Sequence, residues 1–218
     1  MASKPIAATK RGKSMVIAGI IAAAATGWTG WKASHPVVTP AAIHQAIDKG
    51  ISPPAVEIAL ELIGPWEGIR TVAYLDPIGI PTVCKGETEI NGKPVRLGMR
   101  FTVEECEAMF RKRVTNDFYL KLVDGLPGFV EAPDSVQAAS LSVIYNAGPG
   151  VLTSATSTAG KAIRTKRYAD ACRGLTLFNK ARIKGRLVVM TGLDNRRTMG
   201  DKSRVGEAEV CLNTEVSS

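Results

Sequence analysis

The sequence predicts an α+β protein, a mostly helical body with a small β-hairpin lobe, preceded by an N-terminal helix apolar enough to enter a membrane. Three observations support this fold class. Residues 14–31 carry no charge, glycines and prolines crowd residues 64–98 and leave room there only for short strands, and apolar residues recur at helical spacing in the segments on either side. About 180 residues follow the first 40, enough for one domain with a sizeable core.

The uncharged stretch at residues 14–31 is a marginal membrane span. As a helix rising about 1.5 Å per residue, its 18 residues would only just cross a hydrocarbon core about 30 Å thick. Eight of these residues are alanine or glycine, which makes insertion weak. Four basic residues precede the stretch and only Lys32 follows it closely. The positive-inside tendency therefore leaves the N-terminus in the cytoplasm and predicts export of the rest.

Caps and apolar periodicity place four further helices. The clearest start is the capping-box sequence Thr-Val-Glu-Glu at residues 102–105. The clearest end is at Gly64, Pro65 and Gly68, which should stop a helix that begins near Pro54. The predicted helices span residues 39–50, about 54–63, about 102–123 and about 133–148.

Two carboxylates and a hydroxyl lie in the turn-rich stretch after the second of these helices. Glu67 and Asp76 are nine residues apart, and Thr82 follows six further on. A glycosidase needs one carboxylic acid to protonate the leaving oxygen and a second carboxylate to activate water or stabilise the cationic transition state. Glu67, beside a helix C-terminus and Trp66, should resist ionisation, whereas Asp76, in a wetter turn, should stay ionised. Such a triplet arises by chance in many chains, so its surroundings decide its meaning.

Those surroundings form a longer pattern, E-G-x4-A-Y-x-D-x2-G-x2-T-V-C-x-G-x-T, over residues 67–88. The pattern closely resembles the catalytic segment of the phage lysozymes of glycoside hydrolase family 24, in the endolysin branch that carries T-V-C. Weaker resemblances are N-x-G-x-G at 146–150, S-T at 157–158 and G-L-x2-R-R at 192–197. There are two departures: Glu87 stands where many relatives carry His, and Met199-Gly200 intervenes before the acidic Asp201 that should follow the paired arginines.

The resemblance implies a lysozyme-like fold, with the substrate cleft between the helical body and the β lobe. It implies hydrolysis of the β-1,4 bond between N-acetylmuramic acid and N-acetylglucosamine in peptidoglycan, with no cofactor. The expected partners are peptidoglycan, the bacterial inner membrane, the host secretion machinery and, indirectly, a holin or pinholin; the protein is expected to be a monomer without a nucleic-acid partner. The implied site comprises the catalytic residues Glu67, Asp76 and Thr82 and the substrate-binding residues Tyr74, Asn146, Ser157 and Thr158.

Three interpretations of residues 14–31 stay open. A cleaved signal peptide fits the basic flank, and Ala23 and Ala25 could form an A-x-A cleavage site. A permanent anchor fits the length but not the alanine and glycine content. We favour the signal-arrest segment of related endolysins, exported uncleaved, held in the inner membrane and later released to the periplasm. The predicted organisation is a basic cytoplasmic region at 1–13, a weak transmembrane or signal-arrest segment at 14–31, a tether and short helix at 32–53, and a lysozyme-like catalytic domain at 54–218.

The cysteines favour disulfides over metal binding. Their sequence positions show no C-x2-C spacing, and the histidines, His35 and His44, lie close to the N-terminal stretch, so no zinc site is predicted. In an exported protein, four cysteines favour two bridges with three possible connectivities. We prefer Cys84 with Cys106 and Cys172 with Cys211, and four buried thiols are the alternative. Since residues 1–83 contain no cysteine, release of the membrane segment by disulfide exchange is excluded.

Charge and missing motifs narrow the function classes. The net charge is +8, and half of it comes from the first 13 residues. A basic surface suits peptidoglycan, teichoic acids, lipid headgroups or nucleic acid, and charge alone chooses none of them. The sequence has no phosphate-binding loop, G-x-S-x-G or H-E-x2-H motif. Their absence argues against a nucleotide-binding protein, a serine hydrolase and a zinc amidase. The alternatives to a muramidase are a lytic transglycosylase on the same bond and an inactive, membrane-tethered wall-binding protein.

Overall fold

The computed structural model describes residues 5–183 and 185–216. Helices make up most of the described chain and the strands form short antiparallel pairs, which confirms the predicted helix-rich class with a small β lobe. The α-helices are α1 Lys10–Ala25, α2 Trp28–Ser34, α3 Pro40–Asp48, α4 Pro54–Glu67, α5 Val103–Arg113, α6 Leu120–Gly125, α7 Asp134–Ala147, α8 Gly150–Thr153, α9 Thr158–Arg164, α10 Tyr168–Leu175, α11 Thr191–Arg197 and α12 Glu207–Cys211. The strands are β1 Arg70–Leu75, β2 Pro81–Cys84, β3 Glu89–Ile90, β4 Lys93–Pro94, β5 Lys180–Ile183 and β6 Arg186–Val189, paired in that order.

The uncharged N-terminal stretch is divided between two helices. Thr9 caps α1 by accepting a hydrogen bond from the Gly12 amide, and the helix ends before Gly27, whose φ of 97° is left-handed and suits glycine. The axes of α1 and α2 differ by 78°. Within the described residues, no single helix is long and apolar enough to cross a membrane, although the bent pair of α1 and α2 together has the length and composition.

Helix α1 packs closely onto the helical body, against α4 and α12. A β-carbon at position 12 would lie 2.2 Å from the carbonyl oxygen of Glu209, and one at position 19 would lie 2.3 Å from Cγ1 of Ile58. These distances are shorter than any normal contact, so the approach requires glycine at both positions. The buried residues of α1 form one helical stripe: Gly12, Val16, Gly19 and Ala23.

Helices α4 and α7 form the centre of the core and pack against each other. In α7, every residue from Ser135 to Ile144 is buried. Helix α4 continues through Gly64 and Pro65 to Glu67, so the predicted end near residue 63 is wrong. Proline at 65 removes only one intrahelical hydrogen bond, while the next residue, Trp66, is held by donating from Nε1 to the Val205 carbonyl at 3.0 Å. Of the three predicted stops, Gly68, with φ of 68°, is the one that ends the helix.

The helix predicted from the capping box begins where expected. Thr102 accepts from the Glu105 amide at 3.1 Å, and the Glu105 carboxylate accepts from the Thr102 amide at 2.7 Å. The helical path then runs from α5 through a π-helical segment, Val114–Tyr119, into α6. The π-helical turn was not predicted, because its wider hydrogen bonding has no signature in the residue pattern.

The β lobe is built around an irregular hairpin. Strand β1 pairs with β2 at its two ends, with Arg70 opposite Cys84 and Tyr74 opposite Thr82. Between these pairs β1 turns to residues 99–101 instead, with the Ala73 amide donating to the Met99 carbonyl. The lobe has its own small apolar cluster, which includes the disulfide between Cys84 and Cys106.

The second disulfide, Cys172 to Cys211, joins α10 to α12 in the helical body. The Cα atoms are 5.0 Å apart in the first bridge and 5.7 Å apart in the second, both within the normal range. The preferred connectivity is thus confirmed, and the alternative of four free thiols is wrong.

Candidate active site

The hairpin orients Asp76 and Thr82 toward a shared neighbour. Asp76 follows β1, and its Oδ1 accepts hydrogen bonds from the amides of Ile78 at 3.0 Å and Ile80 at 2.8 Å. The Thr82 hydroxyl donates to the Ile80 carbonyl at 3.0 Å. Thr82 is buried and lies across the ladder from Tyr74. One turn therefore fixes the predicted second carboxylate and the predicted hydroxyl in a single arrangement.

Glu67 is placed by the helical body. It is the last residue of α4, and its side chain is 23% exposed. Nη1 of Arg196 donates to its Oε1 at 2.7 Å. A charge-assisted hydrogen bond of this kind holds the carboxylate in one orientation.

Behind Glu67, buried charges form a continuous network. Glu207, fully buried at the start of α12, accepts on Oε1 from Arg197 Nη1 at 2.5 Å, from Arg196 Nε at 3.2 Å and from the Ser142 hydroxyl at 2.7 Å. Arg197 is also fully buried. Because a buried charge is tolerated only when it is paired and hydrogen-bonded, this network fixes the position of the guanidinium that contacts Glu67.

The predicted substrate-binding residues of the helical side lie next to this network. Oδ1 of Asn146, at the end of α7, accepts from Arg197 Nη2 at 2.7 Å. Nε of Arg197 donates to the Phe178 carbonyl at 3.1 Å. Phe178 lines an open cavity of about 430 Å³ together with Ser157 and Thr158. Ser157 caps α9 through the Gly160 amide, whereas Thr158 is exposed.

The predicted site residues thus fall into two groups. Tyr74, Asp76 and Thr82 lie on the hairpin, while Glu67, Asn146 and the Ser157–Thr158 cavity lie on the helical body. Among the described residues, no hydrogen bond or ion pair joins Glu67 directly to Asp76. The two predicted carboxylates therefore lie on different parts of the molecule, Asp76 on the hairpin and Glu67 on the helical body.

The family profile Phage lysozyme matches residues 64–199, more than half of the chain and all three predicted catalytic residues. The chain belongs to the phage lysozyme family. This lysozyme is a glycoside hydrolase that acts on peptidoglycan.

Relatives resemble the lysozyme over most of its length. The SAR-endolysin of Pseudomonas phage phiKMV is 35% identical over 153 residues, covering 69% of this chain and 88% of the relative. The SAR-endolysin of Enterobacteria phage P21 is 30% identical over 184 residues, covering 79% of this chain and 97% of the relative. Among solved structures, the endolysin from Escherichia coli O157:H7 phage FAHEc1 is 30% identical, with a TM-score of 0.62 over 73% of this chain and 93% of that one.

Contacts around Tyr145 connect the β lobe of the lysozyme to its helical body. The Tyr145 hydroxyl, on α7, donates to the carbonyl of Lys85, the residue after β2, at 3.0 Å. Burial raises the pKa of the Tyr145 phenol, so the hydroxyl stays a donor at any physiological pH. Lys85 in turn pairs with Glu107 of α5 at 2.7 Å. The β lobe is therefore attached to the body close to the predicted acid.

Sequence reasoning missed the most important contacts of the lysozyme site. Glu207 is the acidic partner of Arg196 and Arg197. Asp201, which is closer to them in the sequence, pairs instead with Arg204 at 2.5 Å. The available signal was the pair of adjacent arginines, Arg196 and Arg197, because a buried arginine requires an acidic partner. Within the described residues, no group of His, Cys, Asp and Glu is arranged to hold a metal ion.

Proposed function

We propose that this lysozyme is an endolysin that hydrolyses the β-1,4 bond between N-acetylmuramic acid and N-acetylglucosamine, and so lyses its bacterial host. The carrying observation is that Glu67 is held by Arg196 on one wall while Asp76 is held by two backbone amides on the other. In this proposal Glu67 protonates the glycosidic oxygen, Asp76 activates water or stabilises the developing cation, and Thr82 positions the water. Tyr74, Asn146, Ser157 and Thr158 line the path of the glycan.

Substitution of the proposed acid tests this assignment. Glu67→Gln should lower the rate of lysis of outer-membrane-permeabilised Gram-negative cells by at least about a hundredfold, because a general acid contributes about 10²–10⁴. Asp76→Asn should be nearly as damaging and Thr82→Ala less so. The matched control is Glu61→Gln, an exposed carboxylate on the same helix, which should leave the rate unchanged. Near wild-type lysis by a folded Glu67→Gln protein would refute the proposed acid.

The products separate hydrolysis from the runner-up reaction. Mass spectrometry of the released muropeptides should find muramic acid at the reducing end, since water is the acceptor in hydrolysis. Anhydromuramic acid would instead assign a lytic transglycosylase. Wall binding without release of muropeptides would assign the inactive, tethered protein.

We also propose that the protein is exported uncleaved, that residues 14–31 first lie in the inner membrane, and that α1 later withdraws to the position described above. The similarity to two SAR-endolysins supports this. So does the contact of Arg11 with Glu209 at 2.5 Å and of Gly12 with α12, because a membrane-spanning α1 with a cytoplasmic flank could not reach α12 in the periplasm. The segment therefore has two environments: a bilayer and a groove of the enzyme.

Fractionation of host cells tests the release. Full-length protein should be found first in the inner membrane and later in the periplasm, and sooner after depolarisation. Substituting leucine at Ala22, Ala24 and Ala25, which are exposed in the docked helix, should trap the protein, because each leucine favours insertion by about 0.5 kcal/mol. Ala23 is left unchanged because it is buried against the body. A shortened soluble form starting near residue 26 would establish signal cleavage and contradict release.

A further inference from the structure

The hairpin of β5 and β6 projects large apolar side chains into solvent. Leu187 is 64% exposed, Val189 46%, Ile183 44% and Val188 42%. Every residue of β6 is exposed. At the base of the hairpin the Met190 amide donates to the Asn179 carbonyl at 2.9 Å, and Nδ2 of Asn179 donates to Asp194 of α11 at 2.9 Å. Aliphatic side chains lie on both faces of the hairpin and are exposed to solvent, so their hydrophobic surface is not buried within the hairpin.

The same hairpin is strongly basic. Residues 179–190 contain four basic residues and no acidic residue. Within the described part of the chain, no carboxylate pairs with Lys180, Arg182 or Arg186. The ladder places Lys180 opposite Val189, Arg182 opposite Leu187 and Ile183 opposite Arg186. Three of the four rungs therefore each combine one cation with one aliphatic side chain.

We propose that this hairpin binds the surface of an anionic lipid bilayer. Lys and Arg can extend to lipid phosphates while neighbouring aliphatic side chains enter the acyl boundary, which is the arrangement that the mixed rungs provide. A glycan strand or nucleic acid would satisfy the cations but would leave Leu187 and Val189 in water. The hairpin would therefore keep the enzyme on the membrane surface after α1 has withdrawn.

Vesicle binding with a matched pair of double variants tests this proposal. The full-length protein should co-sediment with phosphatidylglycerol-containing vesicles and far less with pure phosphatidylcholine. Arg186→Gln with Leu187→Ser should weaken binding to the anionic vesicles about 30-fold, from one lost charge and one lost aliphatic contact. The control is Arg96→Gln with Leu97→Ser, an adjacent exposed pair in the β lobe, which should bind as the wild type does. All variants keep the same α1.

Three results would overturn the proposal. The first is equal vesicle binding by both double variants. The second is equal binding of the wild type to neutral and anionic vesicles. The third is loss of binding to purified peptidoglycan sacculi by the hairpin variant while its vesicle binding is unchanged, which would assign the hairpin to the wall. Glu67→Gln protein should bind vesicles normally, so this result is independent of whether the catalytic assignment is correct.

Discussion

Replacing Gly19 with alanine should undock α1 without changing the composition of the membrane segment appreciably. The new β-carbon would lie 2.3 Å from Ile58 Cγ1, 2.8 Å from the Ile58 amide nitrogen and 3.0 Å from its Cα. Two of these atoms are backbone, so a change of rotamer cannot relieve the contact. Overpacking of this kind costs about 1–3 kcal/mol, while alanine regains up to about 1 kcal/mol of helix propensity.

Gly30→Ala is the matched control, because a β-carbon at position 30 in α2 has nothing within 4 Å. Much of the gain in helix propensity cancels between the two variants, so their difference reports the steric cost. At about 2–4 °C per kcal/mol for a chain of this size, Gly19→Ala should melt about 2–12 °C below Gly30→Ala in circular dichroism. If Gly19→Ala melts at the same temperature as the control or higher, α1 is not docked against Ile58 in solution.

Two further predictions concern charge and cross-linking. Burial raises the pKa of the Glu87 carboxyl, while the nearby Arg113 opposes the shift. The folded protein therefore binds the carboxyl proton more tightly than the unfolded chain does. As pH rises above about 4, ionisation of Glu87 lowers the free energy of unfolding. Glu87→Gln should therefore gain stability relative to the wild type between pH 4 and pH 7 in urea unfolding, and a gain that shrinks with rising pH would contradict this. Cys172→Ser should lose about 4 kcal/mol, from a bridge with a sequence separation of 39 to Cys211, and melt about 8–16 °C lower; an unchanged melting temperature would show that the bridge adds nothing.

Local rules predicted the parts of the fold that local chemistry controls. The capping box at Thr102 and the left-handed glycine at Gly148, which ends α7, are satisfied within a few residues of sequence. The end of α4 is not local. Pro65 reads as a stop, but Trp66 is fixed by Val205, a residue 139 positions away, and by the guanidinium of Arg204 over its ring at 3.9 Å. Tertiary contacts override propensity there.

The residues of the candidate site could likewise be predicted only where their contacts are local in sequence. The hairpin carboxylate and hydroxyl could be placed from their turn, because Asp76 and Thr82 are six residues apart and share Ile80. The partner of Glu67 is 129 residues away in sequence, and the acid that supports that partner, Glu207, lies ten residues beyond Arg197. Long-range pairing of buried charges leaves no periodicity in a single sequence. The adjacent arginines Arg196 and Arg197 indicated a buried charge cluster, but the sequence did not identify Glu207 as their partner.

The disulfide between α10 and α12 can form only after the chain has left a reducing compartment. Helix α12 carries Glu207, which supports the arginine beside Glu67, and Glu209, which receives Arg11 of α1. Disulfides form outside the reducing cytoplasm, so a chain still inside the cell has α12 held by non-covalent contacts alone. Under the proposed export, the covalent bond that stiffens the contacts of α12 with α1 and with the arginine beside Glu67 is therefore made only after the chain has left the cytoplasm.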